Sequence, residues 1–343
     1  MSPFFHLGCK SKFLRRNKHE NEMETPTDTK VVLHDVPPYL KVYEDGTVER
    51  LLGVETVQPT LDFDTGVSSK DVLILPLRGV SARLYRPANH HKKYPLVVYF
   101  HGGAFCISSP ADPKYHDMLS KLVKEAQIIL VSVDYRRAPE NPLPMAYEDS
   151  WAALQWVASH MEHGSENWLK ECADFDRVYL AGDSAGANIS HHLTIKAGLQ
   201  SQNPSLGKLK IVGILMVHPY FWGKEPIGVE AENPMFKSVV DKWWEFVCPS
   251  DLGCDDPWIN PFVIGAPSLE GLACDKILIC VAGNDILRER GRLYYESLVK
   301  SAWKGQAQFL ETEGEDHVFH IIDSGSEKAL ELIKKCAEFL NKD

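Results

Sequence analysis

The sequence has little positive charge and no long apolar run. Its 37 lysines and arginines are outnumbered by 47 aspartates and glutamates over 343 residues, so the formal net charge is −10. Nucleic acids and anionic membranes bind basic surfaces, and a chain with this balance is expected to bind neither. No apolar stretch approaches the length of about 20 residues that a membrane-spanning helix needs. These absences exclude two classes of partner and leave the substrate and the oligomeric state open.

The cysteines form no C-x-x-C pair, the spacing that is typical of zinc and redox sites. Eight of them are scattered along the chain, at Cys9, Cys106, Cys172, Cys248, Cys254, Cys274, Cys280 and Cys336. We therefore expect reduced thiols in a cytoplasmic protein. Glycine motifs of the G-x-x-x-x-G-K or G-x-G-x-x-G type, which bind phosphates, are also missing. The sequence thus predicts no metal and no cofactor.

Residues 1–34 are polar and show no periodic pattern of apolar side chains. The first half is basic and has no acidic residue before Glu20. Transit peptides for organelles share this asymmetry, but the segment is short and contains only Ser2 and Ser11 as serines. We expect a disordered leader over 1–34 rather than a plastid-targeting signal, followed by a single domain over 35–343.

Beyond a predicted antiparallel hairpin over 72–75 and 80–85, apolar strand-like runs alternate with stretches of helical period. The predicted strands are 96–100, 128–133, 178–180, 211–217, 277–281 and 307–310. The predicted helices are 115–125, 147–160, 189–199, 292–300 and 327–340. This alternation is typical of an α/β protein with a mostly parallel sheet and helices on both faces.

Residues 219–262 interrupt the alternation, because they are rich in aromatic side chains and broken by proline and glycine. We interpret this stretch as an insertion over the C-terminal edge of the sheet, where open α/β folds bind ligands. Together with the N-terminal segment it would form a lid. Trp243 and Trp244 are adjacent, and neighbouring helical residues point in different directions, so at most one of them is expected to face a substrate.

Ser184 is the candidate nucleophile. It stands in Gly182-Asp183-Ser184-Ala185-Gly186, a G-x-S-x-G motif between a predicted strand and a predicted helix. This is the context in which the motif forces a serine into a sharp turn and exposes its hydroxyl above the sheet. The two glycines let strand and helix approach closely.

A serine hydroxyl needs a base and an orienting acid, and α/β enzymes of this kind place them in the chain order Ser, Asp or Glu, His. Asp285 follows a strand that ends at the same edge of the sheet as the nucleophile, and His317 follows the last predicted strand. We predict Asp285 as the orienting acid and His317 as the base. The alternatives are Asp255 and Asp256 in the irregular insertion, Glu315 and Asp316 beside the histidine, and His320 in the final helical region.

The donors for a developing oxyanion are expected in the loop after an early strand. There the chain reads His101-Gly102-Gly103-Ala104-Phe105, close to the HGGG element of esterases. We predict an oxyanion hole made by the backbone N–H groups of Gly102, Gly103 and Ala104, together with that of Ala185. His101 is expected to act as a structural hydrogen-bonding residue.

Taken together, residues 101–105, 134–140 and 182–186 with Asp285 and His317 resemble the plant carboxylesterases of the hormone-sensitive-lipase-like α/β-hydrolase group. The N-terminal stretches 39–51 and 65–71 are also similar to that family, so the resemblance extends from about residue 35 to the C-terminus. It implies an α/β-hydrolase fold and a serine esterase that acts on small to medium, apolar carboxylic esters. Residues 134–140 themselves are expected to form a structural turn.

Relatives within this group imply two other functions. The gibberellin receptor shares the fold but has lost the catalytic histidine, whereas His317 is present here. The 2-hydroxyisoflavanone dehydratases are similar through residues 218–221 but often have threonine in place of the nucleophilic serine. Ser184 therefore favours ester hydrolysis, with a dehydratase or lyase of specialised metabolism as the first alternative and a small-ligand receptor as the second.

Overall fold

The computed structural model describes residues 30–62, 64–88, 92–200 and 205–342. Most of the leader predicted over 1–34 therefore lies outside the described residues. The described chain begins just before a strand at Val32–Val36, so regular structure starts three residues earlier than the predicted boundary. The side chains of Val31, Val32 and Leu33 are exposed, and this explains why no buried apolar pattern marks the strand in the sequence.

Twelve strands form two sheets within the described residues. They are β1 (Val32–Val36), β2 (Leu40–Tyr43), β3 (Val48–Arg50), β4 (Leu61–Asp62), β5 (Val67–Leu75), β6 (Val80–Pro87), β7 (Tyr94–Phe100), β8 (Ile129–Asp134), β9 (Ala173–Asp183), β10 (Ile211–Val217), β11 (Lys276–Ala282) and β12 (Gln306–Thr312). Strands β1 to β3 make a small antiparallel sheet at the N-terminus. The other nine form the central sheet.

Nine α-helical segments accompany the sheets in the described part of the chain. They are α1 (Pro113–Ala126), α2 (Met145–Ser159), α3 (Asn167–Cys172), α4 (Ala185–Leu199), α5 (Val229–Glu232), α6 (Pro234–Val247), α7 (Arg288–Lys300), α8 (Phe319–Ile322) and α9 (Glu327–Asn341). All five predicted helices are present. Helices α3, α5, α6 and α8 were not predicted.

The central sheet has the strand order β12-β11-β10-β9-β7-β8-β6-β5-β4. Strands β7 to β12 pair in parallel, whereas β6, β5 and β4 continue the sheet in antiparallel fashion. The mostly parallel sheet predicted from the sequence is confirmed. Because β7, β9, β11 and β12 run in the same direction, the loops that follow them meet at one edge of the sheet.

The central strands are buried on both faces, and successive side chains enter different cores. In β7, Leu96 and Val98 pack into one apolar cluster with residues of α2 and α4, while Val97 packs into a second cluster with residues of α1 and α9. This is the period of two that a strand imposes on its side chains. Burial on both faces also explains why such strands read as continuous apolar runs rather than alternating ones.

Helices α1 and α9, which pack against each other on one face of the sheet, carry their start signals in the sequence. The Asp112 side chain accepts the N–H of Lys114 at 2.9 Å and caps α1, with Pro113 as the first helical residue. The Ser326 hydroxyl accepts the N–H of Ala329 at 3.3 Å and caps α9. Side-chain oxygens at these positions satisfy donors that a helix leaves free at its first turn.

The insertion over 219–262 contains α5 and α6 and is fastened to the main body by buried charges. Glu230 of α5 is fully buried and forms an ion pair with Arg290 of α7 at 2.7 Å. Arg290 also donates to the Glu225 carbonyl at 2.6 Å. Among the described helices, none combines the length and the apolarity needed to cross a bilayer.

We predict that Gly186→Ala destabilises the fold strongly. A Cβ at Gly186 would overlap the carbonyl oxygen of Phe100, which is backbone at the end of β7 and has no room to retreat. Forced overlap of this kind should lower the free energy of unfolding by about 3 kcal/mol. Urea unfolding measures the loss. Gly271→Ala is the control, because its Cβ would meet nothing closer than Ile195 Cδ1 at 4.0 Å, and equal midpoints for the two variants would contradict the prediction.

Candidate active site

Ser184 occupies the turn between β9 and α4 with φ 49° and ψ −115°. Few residues other than glycine adopt a positive φ, and the local strain is of the order of 1–3 kcal/mol. The turn is possible because Gly182 and Gly186 leave no side chain where β9, α4 and the end of β7 converge. Ser184 is 6% exposed, and it lines a cavity above the C-terminal edge of the sheet.

The structure brings Ser184, His317 and Asp285 together from three separate loops. His317 Nε2 lies 3.0 Å from Ser184 Oγ, and His317 Nδ1 lies 2.6 Å from Asp285 Oδ2. Since a carboxylate only accepts hydrogen bonds, Nδ1 carries the proton and Nε2 is left as the acceptor for the serine hydroxyl. Asp285 is held in turn by the Leu287 N–H, which donates to Asp285 Oδ1 at 2.9 Å.

Two opposing effects set the pKa of His317. Removal from water disfavours the charged imidazolium, but the adjacent carboxylate of Asp285 and its hydrogen bond favour it, with a further contribution from Asp183. The net effect raises the pKa of His317 above its ordinary value. A base in this position is therefore stronger than a free imidazole, which suits it to take a proton from a serine hydroxyl.

The loop that carries His317 is supported from behind by another histidine. Val318 has a positive φ of 52°, and its N–H donates to Nδ1 of His218 at 2.9 Å. His218 itself has a φ of 48°, and its own N–H donates to the Cys280 carbonyl at 2.8 Å. Burial lowers the pKa of His218 well below its ordinary value, so the ring is neutral and its Nδ1 can accept.

His320, the alternative base, lies outside this arrangement. It is buried beside His218, with ring centroids 5.3 Å apart, and neither ring nitrogen has a hydrogen-bond partner among the described residues. Burial lowers its pKa to about 3. The remaining alternatives lie elsewhere: Asp255 and Asp256 accept backbone N–H groups within the insertion, and Glu315 pairs with Lys328 at 3.0 Å.

The prediction of Gly102 as an oxyanion donor is wrong for this structure. Its N–H donates to the Tyr115 hydroxyl at 2.9 Å and to Asp183 Oδ1 at 3.2 Å, so it is turned into the protein. Asp183 is fully buried and also accepts the hydroxyls of Tyr99 and Tyr115, both at 2.7 Å. Burial raises the pKa of Asp183, while these hydrogen bonds oppose the rise.

The other three predicted donors remain available. The N–H groups of Gly103, Ala104 and Ala185 have no acceptor among the residues that the structure describes. Gly103 has a φ of 87°, and a Cβ there would overlap the Ile107 carbonyl oxygen, so glycine is required. Ala104 adopts a φ of 48°, and Ala185 is the first residue of α4, where the helix dipole favours negative charge.

His101 has the structural position expected of it. It is fully buried, its ring stacks on Tyr135 with centroids 4.3 Å apart, and its Nδ1 lies 2.9 Å from the Gly102 carbonyl oxygen. Burial, assisted by the Arg137 guanidinium, lowers the pKa of His101 to about 3. The neutral ring therefore donates to the glycine loop and does not serve as a second base.

The cavity above Ser184 has a volume of about 760 Å³ and is lined mainly by apolar groups. Its walls come from both segments of the predicted lid, residues 37–39 and 51–55 at the N-terminus and α6 in the insertion. The α6 side chains that line it are Phe236, Val239, Val240 and Trp243. Trp244 is fully buried and does not line it. One tryptophan of the adjacent pair thus faces the cavity, as the helical geometry predicts.

Three potential metal ligands lie within 4.8 Å of one another in the described residues, namely His218, Asp285 and His317. Two of them are bonded to each other at 2.6 Å, and His317 is engaged with Ser184 through its other nitrogen. These bonds explain why the three groups converge without requiring an ion between them. We assign the cluster to the serine and its base.

Comparison with known proteins identifies the family. A model of the α/β hydrolase fold matches residues 97–321, which is more than half of the chain. The chain belongs to the α/β-hydrolase family. Within this family it is 53% identical over 314 residues to "probable carboxylesterase 2" of Arabidopsis thaliana, covering 91% of this chain and 97% of that protein.

Two further relatives of this α/β hydrolase bear on its chemistry. It is 44% identical over 320 residues to a 2-hydroxyisoflavanone dehydratase of Glycine max, covering 91% of this chain and 99% of that protein. Its structure matches a hyperthermophilic esterase from Pyrobaculum calidifontis with a TM-score of 0.65 and 26% identity, over 79% of this chain and 84% of that one. The predicted fold and the predicted resemblance to plant carboxylesterases are both confirmed.

Sequence reasoning did not identify Asp183, Tyr115 and His218 as parts of the α/β-hydrolase site. Asp183 stands inside the G-x-S-x-G motif beside the nucleophile, so its position could have drawn attention to it. Tyr115 and His218 act through contacts with residues 68 and 100 positions away in the sequence. No local pattern indicates such partners.

Asp285→Asn should lower kcat/KM about 10³- to 10⁴-fold, because an amide no longer selects the His317 tautomer that accepts from serine. Hydrolysis needs neutral His317, so activity is lost as the pH falls through the pKa of that residue. Removal of the carboxylate lowers this pKa, and the acidic limb of the pH profile should move to lower pH. Asp255→Asn is the control. An acidic limb that stays in place would contradict the assignment.

Proposed function

We propose that this protein is a serine carboxylesterase that hydrolyses small to medium, apolar carboxylic esters through an acyl-enzyme. The observation that carries the proposal is the unbroken chain of contacts from Asp285 through His317 to Ser184, at 2.6 and 3.0 Å, at the floor of an apolar cavity. The family supports it, since the relatives with 53% and 43% identity bear carboxylesterase names.

Acylation begins when Ser184 Oγ attacks the ester carbonyl carbon and His317 Nε2 takes the hydroxyl proton. The carbonyl oxygen becomes an oxyanion, which the N–H groups of Gly103, Ala104 and Ala185 are available to stabilise. The carbon–oxygen bond to the alcohol then breaks, and the alcohol leaves with the proton from His317. Asp285 holds the imidazole in one tautomer and stabilises the imidazolium that forms between these two transfers.

Deacylation repeats the sequence with water. His317 removes a proton from a water molecule, whose oxygen attacks the acyl carbon, and the proton returns to Ser184 Oγ as the carboxylic acid leaves. Every proton and electron pair in both halves is accounted for by Ser184, His317, water and the ester. The mechanism needs no metal and no cofactor.

The apolar lining of the cavity supports an apolar substrate. The lid contributes aromatic and aliphatic side chains, and the polar groups in the lining include Ser184, His317 and Asp285 themselves. Burial of apolar substrate surface supplies binding energy of about 25 cal/mol per Å², while the few polar groups fix the ester relative to the nucleophile.

A dehydratase is the second candidate, because one relative with 44% identity over nearly its whole length is a 2-hydroxyisoflavanone dehydratase. The same base could remove a proton from carbon in a pocket of this kind. The two candidates are separated by assaying a p-nitrophenyl acyl ester and 2-hydroxyisoflavanone on one preparation. Ester turnover together with labelling of Ser184 by a fluorophosphonate supports the esterase, and dehydration without ester turnover contradicts it.

Ser184→Ala should abolish ester hydrolysis while the protein stays folded, and His317→Ala should lose a similar amount, because members of one catalytic unit are not additive. The measurement is kcat/KM for a p-nitrophenyl ester, with circular dichroism as a check on folding. His320→Ala is the matched control, since it removes a buried histidine three residues from the base. If His320→Ala proved more damaging than His317→Ala, the base would be misassigned.

Trp243→Ala should discriminate between esters. Trp243 lines the cavity, so its removal should reduce kcat/KM for a bulky aromatic ester by about 1–3 kcal/mol more than for an acetate ester, whose acyl group is too small to reach the lid. Trp244→Ala should show no such difference between the two esters. Equal losses on both esters in the Trp243 variant would mean that this side chain does not select the substrate.

A further inference from the structure

The loop that offers the oxyanion donors is strained over three consecutive residues. Gly103, Ala104 and Phe105 all have positive φ, at 87°, 48° and 63°. Two of the three carry a side chain, which makes the left-handed region costly. A conformation of this kind persists only where surrounding contacts determine it, so its supports are of interest for catalysis.

Five successive carbonyl groups of this loop each accept a hydrogen bond. Three of the donors belong to the main body: Tyr135 bonds the Gly102 carbonyl, the N–H groups of Cys106 and Ile107 bond that of Gly103, and the Ala138 N–H bonds that of Phe105. The other two donors belong to the lid. They bond the carbonyls of Ala104 and Cys106.

The first lid donor is Trp243 of α6. Its indole Nε1–H donates to the Ala104 carbonyl oxygen at 3.0 Å, and the ring is 7% exposed. Tyr39 of the N-terminal segment packs edge-on against it, with centroids 5.0 Å apart. Trp243 therefore contacts the oxyanion loop with one edge and the cavity with another.

The second lid donor is Arg50 at the end of β3. Its Nε–H donates to the Cys106 carbonyl at 2.7 Å, and one Nη donates to the Ala138 carbonyl at 3.0 Å. Two hydrogen bonds to Glu140, at 2.6 and 2.7 Å, hold the guanidinium in place. The ends of the strained segment are thus held from both halves of the lid.

Peptide planarity connects these bonds to the donors. The Ala104 N–H shares a rigid plane with the Gly103 carbonyl, which the main body holds, and the next plane carries the Ala104 carbonyl, which Trp243 holds. The dihedral angles of Ala104 lie between the two planes. Trp243 therefore fixes the second plane and, with it, the direction in which the Ala104 N–H can rest.

We propose that Trp243 and Arg50 are positioning residues for the oxyanion loop, so that the lid completes the esterase machinery in addition to shaping the cavity. This inference rests on the proposed function. It predicts that loss of the indole N–H weakens stabilisation of the tetrahedral intermediate even when the aromatic ring, and hence the cavity wall, is retained.

The test compares Trp243→Phe with Trp244→Phe. Trp244 is a matched control, because it lies next in the same helix and its Nε1–H also donates to a carbonyl at 3.0 Å, that of Gly253 inside the lid. With p-nitrophenyl acetate, Trp243→Phe should lower kcat about three- to tenfold at nearly constant KM, as expected for one lost hydrogen bond. Trp244→Phe should change neither constant by more than about twofold.

Inhibitor binding supplies a readout that a purely structural role would not move. A trifluoromethyl ketone adds to Ser184 as a hemiketal whose oxyanion occupies the hole, whereas the matching methyl ketone binds as a ground-state ligand. Trp243→Phe should weaken the fluorinated inhibitor by the same factor as kcat and leave the methyl ketone unchanged. A raised KM with constant kcat, or equal losses for both ketones, would overturn the proposal.

Arg50→Lys keeps a cation beside Glu140 but removes the Nε–H that bonds Cys106, and it should show the same selective loss. It decides the matter if Trp243→Phe fails to fold, as judged by its thermal transition. The wild-type protein separates the two hypotheses: without ester turnover or a hemiketal the proposed function fails, whereas normal turnover in both variants refutes only the positioning role.

Discussion

The carboxylate of Asp183 is the interaction on which the geometry of the site depends. It lies at the end of β9, immediately before Ser184, and it binds the Gly102 N–H from the loop after β7. One buried acid therefore fixes the distance between the nucleophile and the glycine loop. The tyrosine hydroxyls that also bind it satisfy a group whose burial without partners would cost several kcal/mol. The two neighbouring loops are thus locked together below the cavity.

Backbone strain is concentrated around the cavity. Seven described residues other than glycine have positive φ, and six of them lie in loops at the C-terminal edge of the central sheet: Ala104, Phe105, Ser108, Ser184, His218 and Val318. The seventh, Gln127, caps a helix. Each such residue costs stability that the doubly covered sheet must offset. The reactive groups can therefore occupy positions that an unstrained chain would not give them.

The parts of the fold that follow from local chemistry could be predicted from the sequence. The parallel strands are continuous apolar runs, and Ser184, Asp285 and His317 are marked by one motif and by the order of three strand ends. Helix α6 could not be predicted in the same way, because its apolar face covers a cavity and its sequence is flanked by proline and glycine. The role of Gly102 was beyond local reasoning for another reason. Its N–H is taken by Asp183, 81 positions along the chain, and only the folded structure shows which donors remain.

The fully buried Glu230–Arg290 ion pair, described above as a fastening, also determines how a substrate reaches Ser184. Separation of a buried pair strands a charge in an apolar setting and costs several kcal/mol, and salt screens it little. The corresponding bridge on the N-terminal side, Arg50 to Glu140, has a carboxylate with 44% of its surface exposed, so water can take over its hydrogen bonds. The two halves of the lid therefore differ in compliance. Traffic of ester, alcohol and acid is expected to pass on the N-terminal side, beside Leu51, Leu52 and Val54, while α6 remains a fixed wall.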